Sequence, residues 1–144
     1  MSIFKKSLFD LRSGEQRAAD YAAYQEYMFP LGKGQQERIK AALQGVPKKA
    51  AEEKLLFLFY VTKERYVEER MKGRPRLACW QGAWKALQKF PFAPKADLPF
   101  LLSLAVLDME AESLEDYPQR EAIQALSQRL FPGSAKQPDW SALS

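Results

Sequence analysis

The sequence predicts an all-α fold: a single compact bundle of about six helices, packed irregularly around a central buried helix at about residues 48–72. Three observations predict it. Apolar residues recur at helical rather than alternating spacing, and no convincing strand pattern interrupts them. Capping and stop signals divide the chain into segments of helical length. Three segments end in Phe-Pro, at residues 29–30, 90–91 and 131–132, where proline disfavours helical geometry for the residue before it.

The elements follow in order. Ser13 with Gln16 three positions on forms a capping box for a helix reaching about Met28, which Phe29-Pro30-Leu31-Gly32 ends. A short second helix is expected from about Gln35 to Gln44, closed by Gly45. Pro47 suits the first turn of a long third helix, and Gly73 suits its left-handed terminus. Leu55, Leu56, Phe57, Leu58, Phe59, Tyr60 and Val61 make the start of that helix apolar on every side, as a centrally buried helix tolerates. Its second half reads as amphipathic, with Tyr66, Val67 and Met71 inward and Lys63, Arg65, Glu68, Glu69 and Arg70 mostly outward. A fourth helix spans about Leu77–Lys89, and a fifth, capped by Asp97, runs to about Ala111. The sixth covers about Pro118–Leu130.

The six helices also divide into three antiparallel pairs, which would build a short α–α superhelix. The Phe-Pro signals lie 61 and then 41 residues apart without any repeat around them, so the closed bundle is preferred. Residues 1–133 are read as one helical domain, and 134–144 as a polar tail interrupted by Trp140 and Leu143.

Composition bounds the chemistry. With 144 residues, 47% of them hydrophobic, the chain is long enough to bury a core unaided. No apolar run approaches the roughly 20 residues that cross a bilayer, so no membrane partner is expected. The start, MSIFKKSLFD, lacks an apolar signal region, and Cys79 is the sole cysteine, so a reducing, cytoplasmic location is the expectation. The chain has no histidine, which excludes Ser-His-Asp and Cys-His nucleophile systems and His-ligated metals. One thiol excludes Cys₄ zinc as well. No cofactor and no metal are expected.

The formal charge of +4 is uneven. Residues 1–90 carry 18 Lys and Arg against 10 Asp and Glu, and residues 91–144 carry 4 against 8. The stretch RMKGRPRLACWQGAWKALQKF, residues 70–90, interleaves cations with aromatics as a single-strand nucleic-acid groove would. At about 100° per residue, however, Leu77, Trp80, Trp84 and Leu87 share one stripe of about 80°, and Lys85 and Lys89 lie on the other shoulder. The tryptophans therefore read as core, and nucleic acid is an unlikely partner. The loop cations remain. Arg70 complements the C-terminal dipole of the third helix, while Arg74 and Arg76 stand at the start of the fourth, where cations are disfavoured. Pairing with the acidic run Asp108, Glu110, Glu112, Glu115 and Asp116 explains them internally. Otherwise Arg70, Arg74 and Arg76 are candidate contacts for an anion or an acidic partner.

Two further groups draw notice. Tyr21, Tyr24 and Met28 share a face of the first helix, as core residues with a wet rim. Glu64 lies among Tyr60, Phe57, Val67 and Met71, where a carboxyl would be raised in pKa unless an arginine neutralised it. No phosphate-binding glycine loop and no EF-hand spacing occurs. The expected role is a non-enzymatic interaction module, with a protein partner or self-association. Weak nucleic-acid or phosphate binding through the basic two-thirds is the alternative. A small-ligand pocket, or carboxylate- or tyrosine-based catalysis, is the third reading.

Overall fold

The computed structural model describes residues 13–46, 50–133 and 135–144. Among them lie six α-helices and no strand: α1 Gly14–Met28, α2 Gly32–Leu43, α3 Glu52–Met71, α4 Arg76–Gln88, α5 Leu98–Glu110 and α6 Arg120–Leu130. A 3₁₀ turn, Trp140–Leu143, follows.

Local chemistry sets the ends. The Ser13 hydroxyl accepts the Gln16 amide at 3.0 Å, one arm of the capping box, while the Gln16 side chain donates to Asp20 at 2.8 Å. Gly73 adopts φ 83°, and α3 closes in a Schellman motif: Gly73 N–H donates to Arg70 O at 2.9 Å and Arg74 N–H to Glu69 O at 3.2 Å. Two starts differ from expectation. Gly32 does not merely end α1 but opens α2 at once, its φ of 70° turning the chain within three residues. Helix α3 begins at Glu52, with Ala51 extended before it, and Pro47 lies outside the described residues.

The helices form a closed bundle. α3 packs on α1, α2, α4 and α5, and α5 packs on α3, α4 and α6. The first pair also reaches the last, which an open superhelix would not require. A Cβ on Gly34 of α2 would sit 2.4 Å from Leu114 Cδ1, so this approach to the α5–α6 loop depends on glycine. Trp140, Ala142 and Leu143 pack against the core, and Asp139 N–H donates to Leu130 O.

The most enclosed helix is α5, not α3. From Leu98 to Asp108 only Pro99 and Leu107 are not fully buried. Helix α3 turns one stripe inward, Leu55, Leu58, Phe59, Thr62, Tyr66 and Val67, while Phe57 on the opposite side is 47% exposed. A seven-residue apolar run goes round a helix twice, and the bundle covers only part of that circumference. Phe57 is therefore not core, and Met71 and Leu77 are exposed as well, because the chain turns out of the bundle around Gly73. Tyr21 is exposed, although Tyr24 and Met28 on its helix are buried. The reverse error concerns Lys63, Glu68 and Glu69, which are buried rather than outward. Trp80 and Trp84 are buried, with Lys85 and Lys89 exposed, so the tryptophan stripe is core. Tyr66 stacks on Trp80 with centroids 3.8 Å apart, and Trp84 meets Phe131 at 5.1 Å.

Candidate functional site

Where α3 lies along α4, their outer faces leave an open groove of about 440 Å³. Phe57, Tyr60 and Val61 supply one wall, and Ala86, Lys89 and Phe90 the other. Pro91 ends α4 and sends the chain back over this mouth, which carries Phe92 to the same place. Phe57 then stands 5.5 Å from Phe90 and 6.1 Å from Phe92 between ring centroids, with Phe90 and Phe92 5.6 Å apart. Phe92 is 42% exposed. Glu53 and Lys54 extend the groove past Phe92, and the Lys54 ammonium lies 5.8 Å from that ring's centre.

The other end of the groove is acidic. Glu64 and Glu68, one helical turn apart on α3, line it with Arg65. The two carboxyl groups act on each other electrostatically, and Glu64 acts on the buried Tyr24 hydroxyl of α1. Glu68 is only 2% exposed. Burial pushes its carboxyl above the ordinary glutamate range and Glu64 adds to the shift, while positive charges, Arg65 the weaker of them, pull the other way. Arg65 stands 3.9 Å from both Glu68 and Glu69, beyond hydrogen-bond reach. Burial first and Glu64 second hold the Tyr24 hydroxyl strongly protonated. Glu64 thus stands close to a tyrosine and to a second carboxyl.

A second cluster lies inside the bundle. Lys63 of α3 and Asp108 of α5 form an ion pair at 2.5 Å with both side chains wholly buried. Gln35 of α2 donates to Asp108 at 2.8 Å and accepts the Leu31 amide at 3.2 Å. The Tyr117 hydroxyl also donates to Asp108. The Lys63 ammonium lies 4.5 Å above the ring of Phe29, the phenylalanine of the first Phe-Pro signal. Burial lowers the lysine's pKa while Asp108 raises it, with burial the larger. Burial and Asp108 both drive the Tyr117 hydroxyl up. Neither Lys63 nor Asp108 lines the groove or its extension. The cluster ties α2, α3, α5 and the α5–α6 loop together and fixes how the site's scaffold packs.

The loop arginines are engaged within the chain. Arg74 pairs with Glu69 at 2.8 Å, and Arg70 donates to the Arg74 carbonyl at 3.2 Å. Arg76 pairs with Glu110 and donates to Leu143 O at 2.7 Å. Only Arg76 thus reaches the acidic run, and it meets Glu110 rather than Glu112 or Asp116. The Asp116 carboxylate instead accepts from the Ser113 hydroxyl at 3.0 Å. Cys79 is buried, and burial raises its thiol, which disfavours the reactive thiolate.

Sequence reasoning singled out Glu64 but missed Glu68, Phe92 and the Lys63–Asp108 pair. A signal for Lys63 existed: it sits four residues after Phe59 and four before Val67, on the inward stripe. Phe92 carried none, because its position depends on how the loop after α4 folds back.

Among the described residues no helix is long and apolar enough to cross a membrane. Nor does any group of three or more acidic, cysteine or histidine side chains stand ready to hold a metal ion. In comparison with known proteins, the chain matches no family model, no curated protein and no solved structure.

Proposed function

We propose that this protein is a binding module whose α3–α4 groove takes up a segment of a partner protein, one that carries an apolar anchor beside a basic residue. The observation that carries the reading is the exposed phenylalanine cluster. Phe57 and Phe92 are 47% and 42% exposed, with Phe90 against both, at the mouth of a concave surface. Large aromatics left in water beside a groove are what recognition surfaces use as anchoring sites. Glu64, which lines the far end, supplies an acidic side chain that complements a basic one.

The loop cations give less support to a phosphate or nucleic-acid surface, since Arg74 and Arg76 already meet Glu69 and Glu110. Catalysis by the carboxyl pair has no favouring observation beyond Glu68's shift. A reducing compartment such as the cytoplasm fits the single buried thiol.

Display of random peptides against the immobilised protein tests the reading. Selected sequences are expected to combine an aromatic or large aliphatic residue with Lys or Arg a few positions away. Phe57→Ser and Phe92→Ser, both at exposed positions, are expected to weaken their binding at least tenfold without lowering the melting temperature. Selected peptides that bind Phe57→Ser as tightly as the parent chain would overturn the reading.

A further inference from the structure

We infer that the cleft between the end of α2 and the start of α6 is a second binding site, which takes a single phosphoryl group. It shares no lining residue with the α3–α4 groove, so the inference stands whether or not that groove binds a partner.

The cleft measures about 150 Å³. A pocket for a whole organic ligand usually exceeds roughly 300 Å³, so this one has room for one small ion or one end group. Its charge is of one sign. Arg38 of α2 and Arg120 of α6 line it together with Ala41, Ala42 and Gly45, and no acidic residue does so among the described residues. A cleft with one sign of charge over apolar walls concentrates its field on an incoming counter-ion.

Neither arginine has other work within the chain. Arg74 and Arg76 meet Glu69 and Glu110, and Arg70 meets a carbonyl. The side chains of Arg38 and Arg120 form no ion pair and no hydrogen bond among the described residues. Arg120 is moreover the first residue of α6, where the macrodipole disfavours a cation. Packing nevertheless sets its course. The side chain crosses Gly45 so closely that a Cβ there would stand 3.0 Å from Cδ and 3.1 Å from Nε. Any larger residue at 45 would push Arg120 aside.

The donors select the anion. The Tyr117 hydroxyl is engaged with Asp108, which leaves the two guanidinium groups as the charged donors of the cleft. A guanidinium presents a planar fork that matches carboxylate and phosphate oxygens alike. Two of them favour the anion with more charge and more oxygens. A carboxylate brings one charge, whereas a phosphate monoester brings about −1.5 to −2 at neutral pH with three acceptor oxygens.

Inorganic phosphate, phosphoserine and acetate are the probes. Each is titrated at pH 7 and constant ionic strength while NMR follows the guanidinium resonances of Arg38 and Arg120 and the Gly45 amide. Both phosphates are expected to give saturable shifts there and to bind at least tenfold more tightly than acetate. Tighter binding of phosphoserine than of inorganic phosphate would assign the group to a larger molecule that carries it as an ester, and equal binding would assign free phosphate. In the Arg38→Gln/Arg120→Gln chain, changed at two exposed positions, phosphate affinity is expected to fall at least tenfold. Gly45→Ala keeps both charges but displaces Arg120, and is expected to cost at least twofold. Acetate binding as tightly as phosphate would overturn the inference. So would shifts that never saturate and appear equally at Lys85 and Arg129, exposed cations outside the cleft. Both of these results are read in the parent chain, so a misfolded variant cannot mask them.

Discussion

Asp108→Asn keeps the shape of the side chain and an oxygen to accept from Gln35 and Tyr117, but removes the charge that faces Lys63. The ammonium would then be buried, at 0% exposure, over the Phe29 ring and without its counter-ion. Removing one partner of a buried ion pair costs about 3–5 kcal/mol. The upper end has an independent bound, because Lys63 can instead give up its proton. At pH 7 that costs about 1.4 kcal/mol for each of the roughly 3.4 pH units below its ordinary pKa, or about 5 kcal/mol. The escape route fixes the pH dependence. In the variant Lys63 gives up its proton at a lower pH in the folded chain than in the unfolded chain. Over that window the unfolded state binds more protons, and stability relative to the parent recovers by up to about 1.4 kcal/mol per pH unit below about pH 10. Urea unfolding followed by fluorescence of the buried Trp80 and Trp84 measures this at pH 7 and pH 9. Adding Lys63→Met to Asp108→Asn should restore most of the loss, because the stranded charge is gone. A cost below about 1 kcal/mol at pH 7, or no recovery at pH 9, would refute the argument from the buried pair.

Other perturbations test separate parts of the structure. Trp84→Ala empties a core position against Phe131 and should cost about 3–5 kcal/mol in the same urea assay. Glu68→Gln should stabilise the chain at pH 7 but much less at pH 4. A carboxyl raised by folding contributes stability that is present below the ordinary carboxyl range and lost as pH rises through its folded value, and melting curves at the two pH values check this. Tyr24 and Tyr117 keep their protons far longer in the folded than in the unfolded chain. Stability should therefore fall as pH rises above about 10, by up to about 1.4 kcal/mol per unit for each, as alkaline unfolding curves would record. Arg76→Glu should cost no more than about 1 kcal/mol, since its pair with Glu110 is partly exposed, and adding Glu110→Arg should recover the loss in a double-mutant cycle.

The helices were legible because their signals are local. Ser13, Gly73 and the three Phe-Pro steps act within one turn of themselves, and each ends or begins an element as expected. The tryptophan stripe was legible for a similar reason, since period alone places Trp80 and Trp84 together. What period cannot give is which side of a helix its neighbours cover. Residues 55–61 are apolar all round, so nothing in them distinguishes the buried Phe59 from the exposed Phe57. Charge misled at Lys63, whose counter-ion lies on another helix 45 residues away. The site was half legible: Glu64 stood out from its own helix, while Glu68 looked like one of several charges on a solvated face. The extension of the groove depends on Phe92 returning over α3, a tertiary event with no local marker.

The claim that the α3–α4 groove is the binding surface is tested most directly by mapping a display-selected peptide onto the chain with NMR chemical shifts. The account predicts the largest changes at Phe57, Val61, Ala86, Phe90 and Phe92, with little change at Ile123 and Leu126 of α6. Changes concentrated on α6 or on the loop of Arg70, Arg74 and Arg76, with the groove residues unmoved, would contradict it.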